Sequence, residues 1–200
     1  MGMKKWYNIN PILQTKANYN IIIGQPYIGK TVSIIKHILN RFINYNVFDF
    51  VNYYVNDITG SYKYIEQLIQ DELKTYYTFN SILRVDGIHY NYKTYETPKP
   101  FIYVSKLNDM NTWKRDYEKK PVNVIFDDVV FNNVNNADKI LSFLSYVHVN
   151  SETKIWIIGN TWGNPKEFLR QFLIKDFPNK AGLYTYDISE DVRISVEVIK

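Results

Sequence analysis

The stretch Ile21-Ile22-Ile23-Gly24-Gln25-Pro26-Tyr27-Ile28-Gly29-Lys30-Thr31 decides the fold of this chain. It fits the pattern G-x-x-x-x-G-K-[ST], with β-branched residues before the first glycine and an amphipathic helical pattern after the lysine. A short loop between a strand and a helix points successive backbone N–H groups inward, which forms a nest for phosphate oxygens. The flanking patterns weigh against a chance match in an ordinary strand–turn–helix. The stretch therefore predicts a phosphate-binding loop.

The residue types within this loop suit a nucleoside triphosphate. Gly24 and Gly29 permit backbone angles or close approaches that a Cβ would obstruct. The Lys30 ammonium can bind the β- and γ-phosphates and so act in catalysis, and the Thr31 hydroxyl can ligate Mg²⁺. We therefore expect ATP and Mg²⁺ as ligands and a nucleotide-binding set made of Gly24, Gln25, Pro26, Tyr27, Ile28, Gly29, Lys30 and Thr31.

A second motif is an apolar run, 122–126, that ends in the acids Asp127 and Asp128. Phosphoryl chemistry requires one carboxylate near the metal and another that orients and deprotonates the attacking water. At the carboxyl end of a parallel strand, both acids would face the phosphate loop. We assign Asp127 to Mg²⁺ and Asp128 to the catalytic base; the alternative is that both acids cap a loop.

A third motif is the buried run 155–158, which is followed by Gly159-Asn160-Thr161. A polar side chain at this strand end can sense whether the γ-phosphate is present, which makes Asn160 a catalytic candidate. An asparagine that only satisfies a turn after the strand is the competing interpretation.

The remaining pattern alternates β-rich runs with helical ones, which predicts an α/β fold with a mainly parallel central sheet flanked by helices. Asp86-Gly87 between two β-rich runs predicts a small hairpin insertion. The expected strands are 19–23, 48–55, 101–105, 122–126, 155–158, 183–186 and 192–199, and the expected helices are 30–44, 61–76, 137–147 and 166–172.

Composition narrows the classes of protein. The 200 residues are 46% hydrophobic and 22% charged with a net charge of +4, which is an ordinary globular mixture. The chain has no cysteine and three scattered histidines, so a disulfide scaffold, a thiolate zinc site and a cysteine nucleophile are excluded. The N-terminus lacks the apolar segment of a secretory signal, and the apolar runs are too short to cross a bilayer, so no membrane association is expected.

Several motifs together resemble the DNA-packaging ATPases of small phi-29-type tailed phages. The shared features are Lys5-Trp6-Tyr7-Asn8, the phosphate loop, Asn40-Arg41-Phe42-Ile43, the strand end at Asp127-Asp128, and Gly159-Asn160, in this order and at similar intervals. The resemblance covers nearly the whole chain, although between the second strand and Phe101 it lies only in the pattern. It implies a P-loop NTPase of the additional-strand type.

The resemblance also implies partners and a setting. Members of this family form a homo-oligomeric ring, usually a pentamer, on the portal of a procapsid, and hydrolyse ATP to drive double-stranded DNA inside. Some use a packaging RNA, and members carry a C-terminal nuclease-like domain. We expect residues 1–200 to be the single ATPase domain of such a motor, with Met1 and Gly2 added before the native Met3. Its expected location is the host cytoplasm and, transiently, the portal vertex.

Three departures from the family pattern affect these expectations. Asp128 stands where the family usually has glutamate, and its side chain is one methylene shorter. Ring ATPases use an arginine from the neighbouring subunit, but the segment before the third motif offers only His148 and Lys154, so the trans-acting candidates are Arg115, Lys114 and Lys106. The basic residues that relatives carry after the second strand are replaced by the sequence at 52–56, so no DNA contact is assigned there.

Two aromatic residues precede the first strand. Trp6 and Tyr7 can stack on adenine or belong to the core. We include Tyr7 in the nucleotide-binding set.

Two other functions fit a phosphate loop. A P-loop nucleotide kinase needs an arginine-rich lid, whereas the five arginines of this chain are dispersed singly. A helicase-loader-like module would bind ATP without rapid turnover. The motor is the preferred interpretation.

Overall fold

The computed structural model describes residues 6–45, 51–55, 64, 67–68, 71, 78–84, 87–93, 98–106, 123–131, 134–146, 153–160, 165–178 and 180–199. The helices are α1 (Asn10–Gln14), α2 (Lys30–Tyr45), α3 (Val134–Tyr146) and α4 (Lys166–Gln171). The strands are β1 (Tyr19–Gly24), β2 (Val51–Val55), β3 (Thr78–Arg84), β4 (Gly87–Lys93), β5 (Pro98–Lys106), β6 (Asn123–Val129), β7 (Lys154–Asn160), β8 (Gly182–Ser189) and β9 (Val192–Val198).

The nine strands among the described residues form one sheet in the order β3-β4-β5-β2-β6-β7-β1-β9-β8. The six strands from β5 to β9 in this order pair in parallel, whereas β3, β4 and β8 pair antiparallel to their neighbours. β7 lies between β1 and β6, which is the topology of the additional-strand class. The expected α/β fold with a mainly parallel sheet is confirmed, and β3 and β4 form the expected hairpin.

The strand residues that point to either face of the sheet are apolar, so helices cover both faces. On one face, Ile22 of β1 packs with Ile34, Ile35, Ile38 and Leu39 of α2. On the other face, Ile21 and Ile23 pack with residues of α3 and α4, which include Ile140, Phe143, Phe168 and Leu169. Each fully buried side chain of this size contributes about 1.5–3 kcal/mol to folding. This packing fixes the positions of the strand ends that carry the polar motifs.

Several element boundaries differ from the expected ones, most clearly at α1, β6 and α3. α1 was not predicted, because its five residues begin at Asn10 without a side-chain cap. β6 continues to Val129 instead of ending at Phe126, with a register shift against β7 between Phe126 and Val129. α3 begins at Val134, three residues early. The expected helix 61–76 is described only at Tyr64, Gln67, Leu68 and Asp71, which are helical, and residues 48–50 of the expected second strand lie outside the described part.

No helix among the described residues has the length and apolar character needed to cross a membrane.

Candidate nucleotide site

The predicted phosphate loop connects β1 to α2 at the carboxyl edge of the parallel strands. Its backbone is left-handed at two positions, with φ of 63° at Tyr27 and 84° at Gly29. Gly29 also lies directly beneath the indole of Trp6, since a Cβ at this position would be 2.4 Å from Trp6 Cε3. Positive φ and this close approach together require glycine. The N-terminus of the 16-residue α2 follows at once, so its unpaired N–H groups and helix dipole favour an anion here.

Lys30 has its ammonium within the loop that precedes it. The Nζ donates hydrogen bonds to the carbonyl oxygens of Gly24, at 3.0 Å, and Gln25, at 2.6 Å. Burial lowers the pKa of Lys30 from its ordinary value, and the charges of Asp127 and Asp128 oppose part of that decrease. Both acceptors are neutral carbonyls, so a negatively charged phosphate oxygen can displace one of them and bind the buried ammonium.

Asp127 is held by three donors from three different elements. Its Oδ2 accepts hydrogen bonds from the Thr31 hydroxyl, at 2.8 Å, and from the Tyr53 hydroxyl, and its Oδ1 accepts the Asp128 N–H at 2.8 Å. Burial raises the pKa of Asp127, while the three hydrogen bonds favour the charged form and lower it. The carboxylate is therefore fixed in orientation beside the first turn of α2.

Asp128 has a left-handed backbone, with φ of 54°. This residue lies at the register shift between β6 and β7, which turns it out of the strand alternation. Its exposed carboxylate accepts a hydrogen bond from Nδ2 of Asn160 at 3.0 Å on Oδ1. The two residues therefore join the ends of two adjacent strands at the mouth of the site.

Gly159 allows this close approach of β6 and β7. A Cβ at Gly159 would lie 2.1 Å from Phe131 Cε2 and 2.5 Å from the carbonyl oxygen of Val129. The ring of Phe131 is buried, so it fills the space that a larger residue would need. The close packing of β6 beside β7 therefore requires glycine at position 159.

These groups line one open cleft of about 740 Å³. It brings the loop together with Asp127, Asp128 and Asn160, as the sequence predicted, and it also includes two aromatic residues. Trp6, 63% exposed, and Tyr64, 49% exposed, are at its rim. The volume is within the range of small-molecule sites. The full lining is Trp6, Pro26, Tyr27, Ile28, Gly29, Lys30, Thr31, Val32, Tyr64, Asp127, Asp128, Ile158, Gly159 and Asn160.

The structure differs from the sequence-based expectation that Tyr7 belongs to the nucleotide-binding set, because Tyr7 is not among the residues that line the cleft. Its ring packs against the core on the α2 side, and its hydroxyl donates a 2.6 Å hydrogen bond to Glu197 Oε2. Its main chain is bound to the loop region, with its N–H donating to the Ile28 carbonyl at 2.9 Å and its carbonyl accepting from Ser33 Oγ at 2.7 Å. Tyr7 braces the phosphate loop, and of these two adjacent aromatic residues it is Trp6 that lines the cleft.

Comparison with known proteins rests on solved structures, since neither a protein-family model nor a curated protein matches the chain. The N-terminal domain of the DNA packaging ATPase from bacteriophage phi29 aligns with a TM-score of 0.71 at 17% identity, over 96% of this chain and 95% of that one. The chain has the fold of a phage packaging ATPase domain. The resemblance expected from the motifs is thereby confirmed at the level of the fold.

Two further structures share the packaging-ATPase fold. A chain of the bacteriophage Phi-29 viral genome packaging motor assembly aligns with a TM-score of 0.65 at 19% identity, over 97% of this chain and 57% of that one. The large terminase ATPase domain of Thermus phage P74-26 aligns with a TM-score of 0.56 at 10% identity, over 96% and 80% of the two chains. The chain thus spans little more than half the length of the motor-assembly protein that it matches.

Within this packaging-ATPase fold, the oxygen donors suit Mg²⁺. The Thr31 hydroxyl and the Asp127 carboxylate are hard ligands 2.8 Å apart beside the phosphate loop. Mg²⁺ is commonly held by one or two such groups together with substrate phosphates, without an all-protein cage. Among the described residues, no three or more His, Cys, Asp or Glu side chains are grouped so that they could hold a metal ion by themselves.

The candidate trans-acting groups are placed less fully. Arg115 and Lys114 lie outside the described residues, as does His148. Lys106 is exposed at the end of β5, on the same sheet edge as the cleft but not in its lining. Lys154 begins β7 at the opposite edge, where its ammonium donates to the carbonyls of Lys16 and Ala17. Of these residues, Lys154 is therefore committed to a structural contact.

Two residues of the site were not found from the sequence. Tyr53 occupies the middle of β2, and Tyr64 is a helical residue between β2 and β3. The chain contains 18 tyrosines, and both residues fit ordinary core or surface patterns. Only the order of strands, which brings β2 beside β6, identifies Tyr53.

Proposed function

We propose that the chain is the ATP-hydrolysing subunit of a phage motor that translocates double-stranded DNA into a procapsid. One observation carries this proposal: a single cleft on a packaging-ATPase fold contains the phosphate loop with Lys30, the acids Asp127 and Asp128, and Asn160. β7, between the loop strand and the acid strand, supplies Asn160.

The chemistry follows from the positions of these groups. The amides of the loop bind the phosphates, and Lys30 exchanges its carbonyl contacts for phosphate oxygens. Asp128 accepts a proton from the attacking water, whose oxygen displaces ADP from the γ-phosphorus, and Asn160 orients that carboxylate through its hydrogen bond. Bound Mg²⁺, held by Thr31 and Asp127, would neutralise charge on the phosphates.

The setting belongs to the same proposal. The chain works as one ATPase domain, residues 1–200, in a homo-oligomeric ring of five subunits. The ring sits at the portal of a procapsid in the host cytoplasm, with or without a packaging RNA. Neighbours with this fold come from a viral genome packaging motor assembly and from a large terminase. The net charge of +4 suits weak, reversible contacts with the DNA backbone, which a translocating motor needs at every base pair.

Phosphate release with and without double-stranded DNA tests the function. We expect little hydrolysis by the monomer and stimulation when subunits assemble on DNA. Transfer of the radiolabelled γ-phosphate to a nucleotide instead of its release would identify a kinase. Tight ATP binding without turnover under any of these conditions would identify a loader-like module and contradict the motor.

A subunit-mixing experiment tests the trans-acting group. Arg115→Ala subunits keep their own acids, and Asp128→Asn subunits keep Arg115, so a mixed ring regains hydrolysis where an Arg115→Ala cleft faces an Asp128→Asn neighbour. Removing an arginine that acts in trans lowers kcat by about 10³–10⁵. The same mixing with Lys114→Ala or Lys106→Ala subunits shows which of the three residues acts. No recovery in any mixture contradicts all three assignments.

A further inference from the structure

Tyr53 is a fully buried tyrosine whose hydroxyl points at a functional carboxylate. Its side chain is 2% exposed, and the hydroxyl donates a hydrogen bond to Oδ2 of Asp127. In the parallel register of β2 and β6, Tyr53 is opposite Ile125, two residues before Asp127. Residues i and i+2 of a strand share a face, so the tyrosine reaches diagonally along the sheet to the acid.

The hydroxyl groups of Tyr53 and Thr31 donate to the same oxygen of Asp127. These two donors differ in what else they can do. Thr31 lines the cleft and its hydroxyl is the group suited to ligate a metal ion, whereas Tyr53 is buried in the core. When Thr31 turns toward a metal, Tyr53 is the side-chain donor that still fixes Oδ2, with the Asp128 N–H still on Oδ1.

We propose that Tyr53 is a positioning residue, which holds the Asp127 carboxylate in the orientation that receives Mg²⁺ with a bound nucleotide. This inference rests on the nucleotide-binding function proposed above. Outer hydrogen-bond partners of metal-binding groups fix the orientation of those groups, and their loss typically costs about 10–100-fold in metal affinity.

The test compares Tyr53→Phe with Tyr54→Phe. Both variants remove one phenol oxygen from a fully buried ring of β2 and keep the ring, but Tyr54 packs on the other face of the sheet, where it stacks on Phe126. Binding of a fluorescent ATP analogue is titrated against Mg²⁺, and thermal unfolding of each variant is recorded in parallel. Because the readout is binding, the comparison is decided whether or not the wild-type chain hydrolyses ATP.

We expect Tyr53→Phe to raise the Mg²⁺ concentration at half-saturation by about tenfold and to leave analogue binding in EDTA unchanged. Tyr54→Phe keeps the wild-type Mg²⁺ dependence. In an Asp127→Ala background, adding Tyr53→Phe causes no further change, because the tyrosine acts through the carboxylate. Equal Mg²⁺ dependence of wild type and Tyr53→Phe overturns the proposal, as does an equal shift in Tyr54→Phe.

Discussion

The side-chain amide of Asn160, at the end of β7, donates a 3.0 Å hydrogen bond to the carboxylate of Asp128, at the end of β6. The contact joins the candidate base to the candidate γ-phosphate sensor. A residue that detects the terminal phosphate can in this way also set the direction in which the base points. The link exists because Asp128 has a left-handed backbone that turns it toward β7.

The first prediction concerns Asp128→Asn. This change keeps the shape of the side chain and its capacity to accept from Asn160, but removes the basic oxygen. General-base catalysis typically supplies about 10²–10⁴-fold, so we expect a loss of kcat in that range with ATP affinity unchanged. Steady-state phosphate release and equilibrium nucleotide binding measure the two quantities. Asp138→Asn, an exposed acid on α3, is the matched control. Unchanged hydrolysis in Asp128→Asn would remove Asp128 as the base.

Lys30→Ala tests the phosphate loop. Loss of the ammonium removes a cation from the β- and γ-phosphates, and the loss of one such electrostatic contact costs about 10²–10³ in kcat. The fold should persist, because the hydrogen bonds of the lysine go to the carbonyls of Gly24 and Gln25 in its own loop. ATPase assays beside circular dichroism separate the two effects, with Lys139→Ala on α3 as the control. Hydrolysis at the wild-type rate would show that the loop assignment is wrong.

Asp127→Ala should abolish Mg²⁺-dependent turnover while the chain stays folded. The residue lies near a strand end, but the change leaves the buried Tyr53 hydroxyl without its acceptor. An unsatisfied buried hydroxyl costs about 1–3 kcal/mol of stability. Urea unfolding should show this loss, and the double variant Asp127→Ala/Tyr53→Phe should recover part of it. Full Mg²⁺-dependent activity in Asp127→Ala would contradict the metal assignment.

We predict that Glu197 makes the stability of the folded chain depend on pH. Burial raises the pKa of this half-buried carboxyl, and the hydrogen bond from Tyr7 opposes part of the increase. A pKa raised by folding favours the folded state below the ordinary pKa of the group, and this contribution is lost as the pH rises through the raised value. Glu197→Gln, which does not ionise, should therefore become more stable relative to wild type across that interval.

Free energies of urea unfolding over a pH series from about 4 to 8 measure this difference between wild type and Glu197→Gln. The exposed Glu190→Gln is the control and should show no such trend. A stability difference that does not change with pH would contradict the assignment of the pH effect to Glu197.

Gly159→Ala tests the close packing of β6 beside β7. The new methyl group would meet Phe131 at 2.1 Å and the backbone oxygen of Val129 at 2.5 Å. Overpacking of this kind costs about 1–3 kcal/mol, and trimming Phe131 cannot relieve the backbone contact. Thermal unfolding measures the cost. Wild-type stability and activity together would show that the two strands separate freely.

Local patterns predicted much of this fold. Strand β1, the loop and α2 follow from the run of isoleucines, two glycines and the helical spacing of Ile34, Ile35, Ile38 and Leu39. The motifs ending at Asp127 and Asn160 were placed on one edge because parallel strands share a direction. Helix α1 is not predicted because five residues are too few for a helical period to be detected. The predicted end of β6 is too early because the bulge there breaks the alternation of inward and outward side chains along the strand.

Tertiary contacts account for the rest. Trp6 and Tyr7 are adjacent aromatic residues, and only the path of the backbone decides that the first faces the cleft and the second faces Glu197. The contact between Tyr53 and Asp127 joins residues 74 positions apart, and it exists only because β2 neighbours β6. Neither choice is encoded in a short stretch of sequence.

Strand β7 sets the spacing of the two walls of the cleft. β1, which leads into the phosphate loop, and β6, which carries the two acids, are separated by two steps of the sheet, about 9.5 Å, and the hydrogen bond from Thr31 to Asp127 adds a direct side-chain contact across that interval. A change at Thr31 or Asp127 removes that side-chain contact but leaves the main-chain pairing of β7 with β1 and β6 in place.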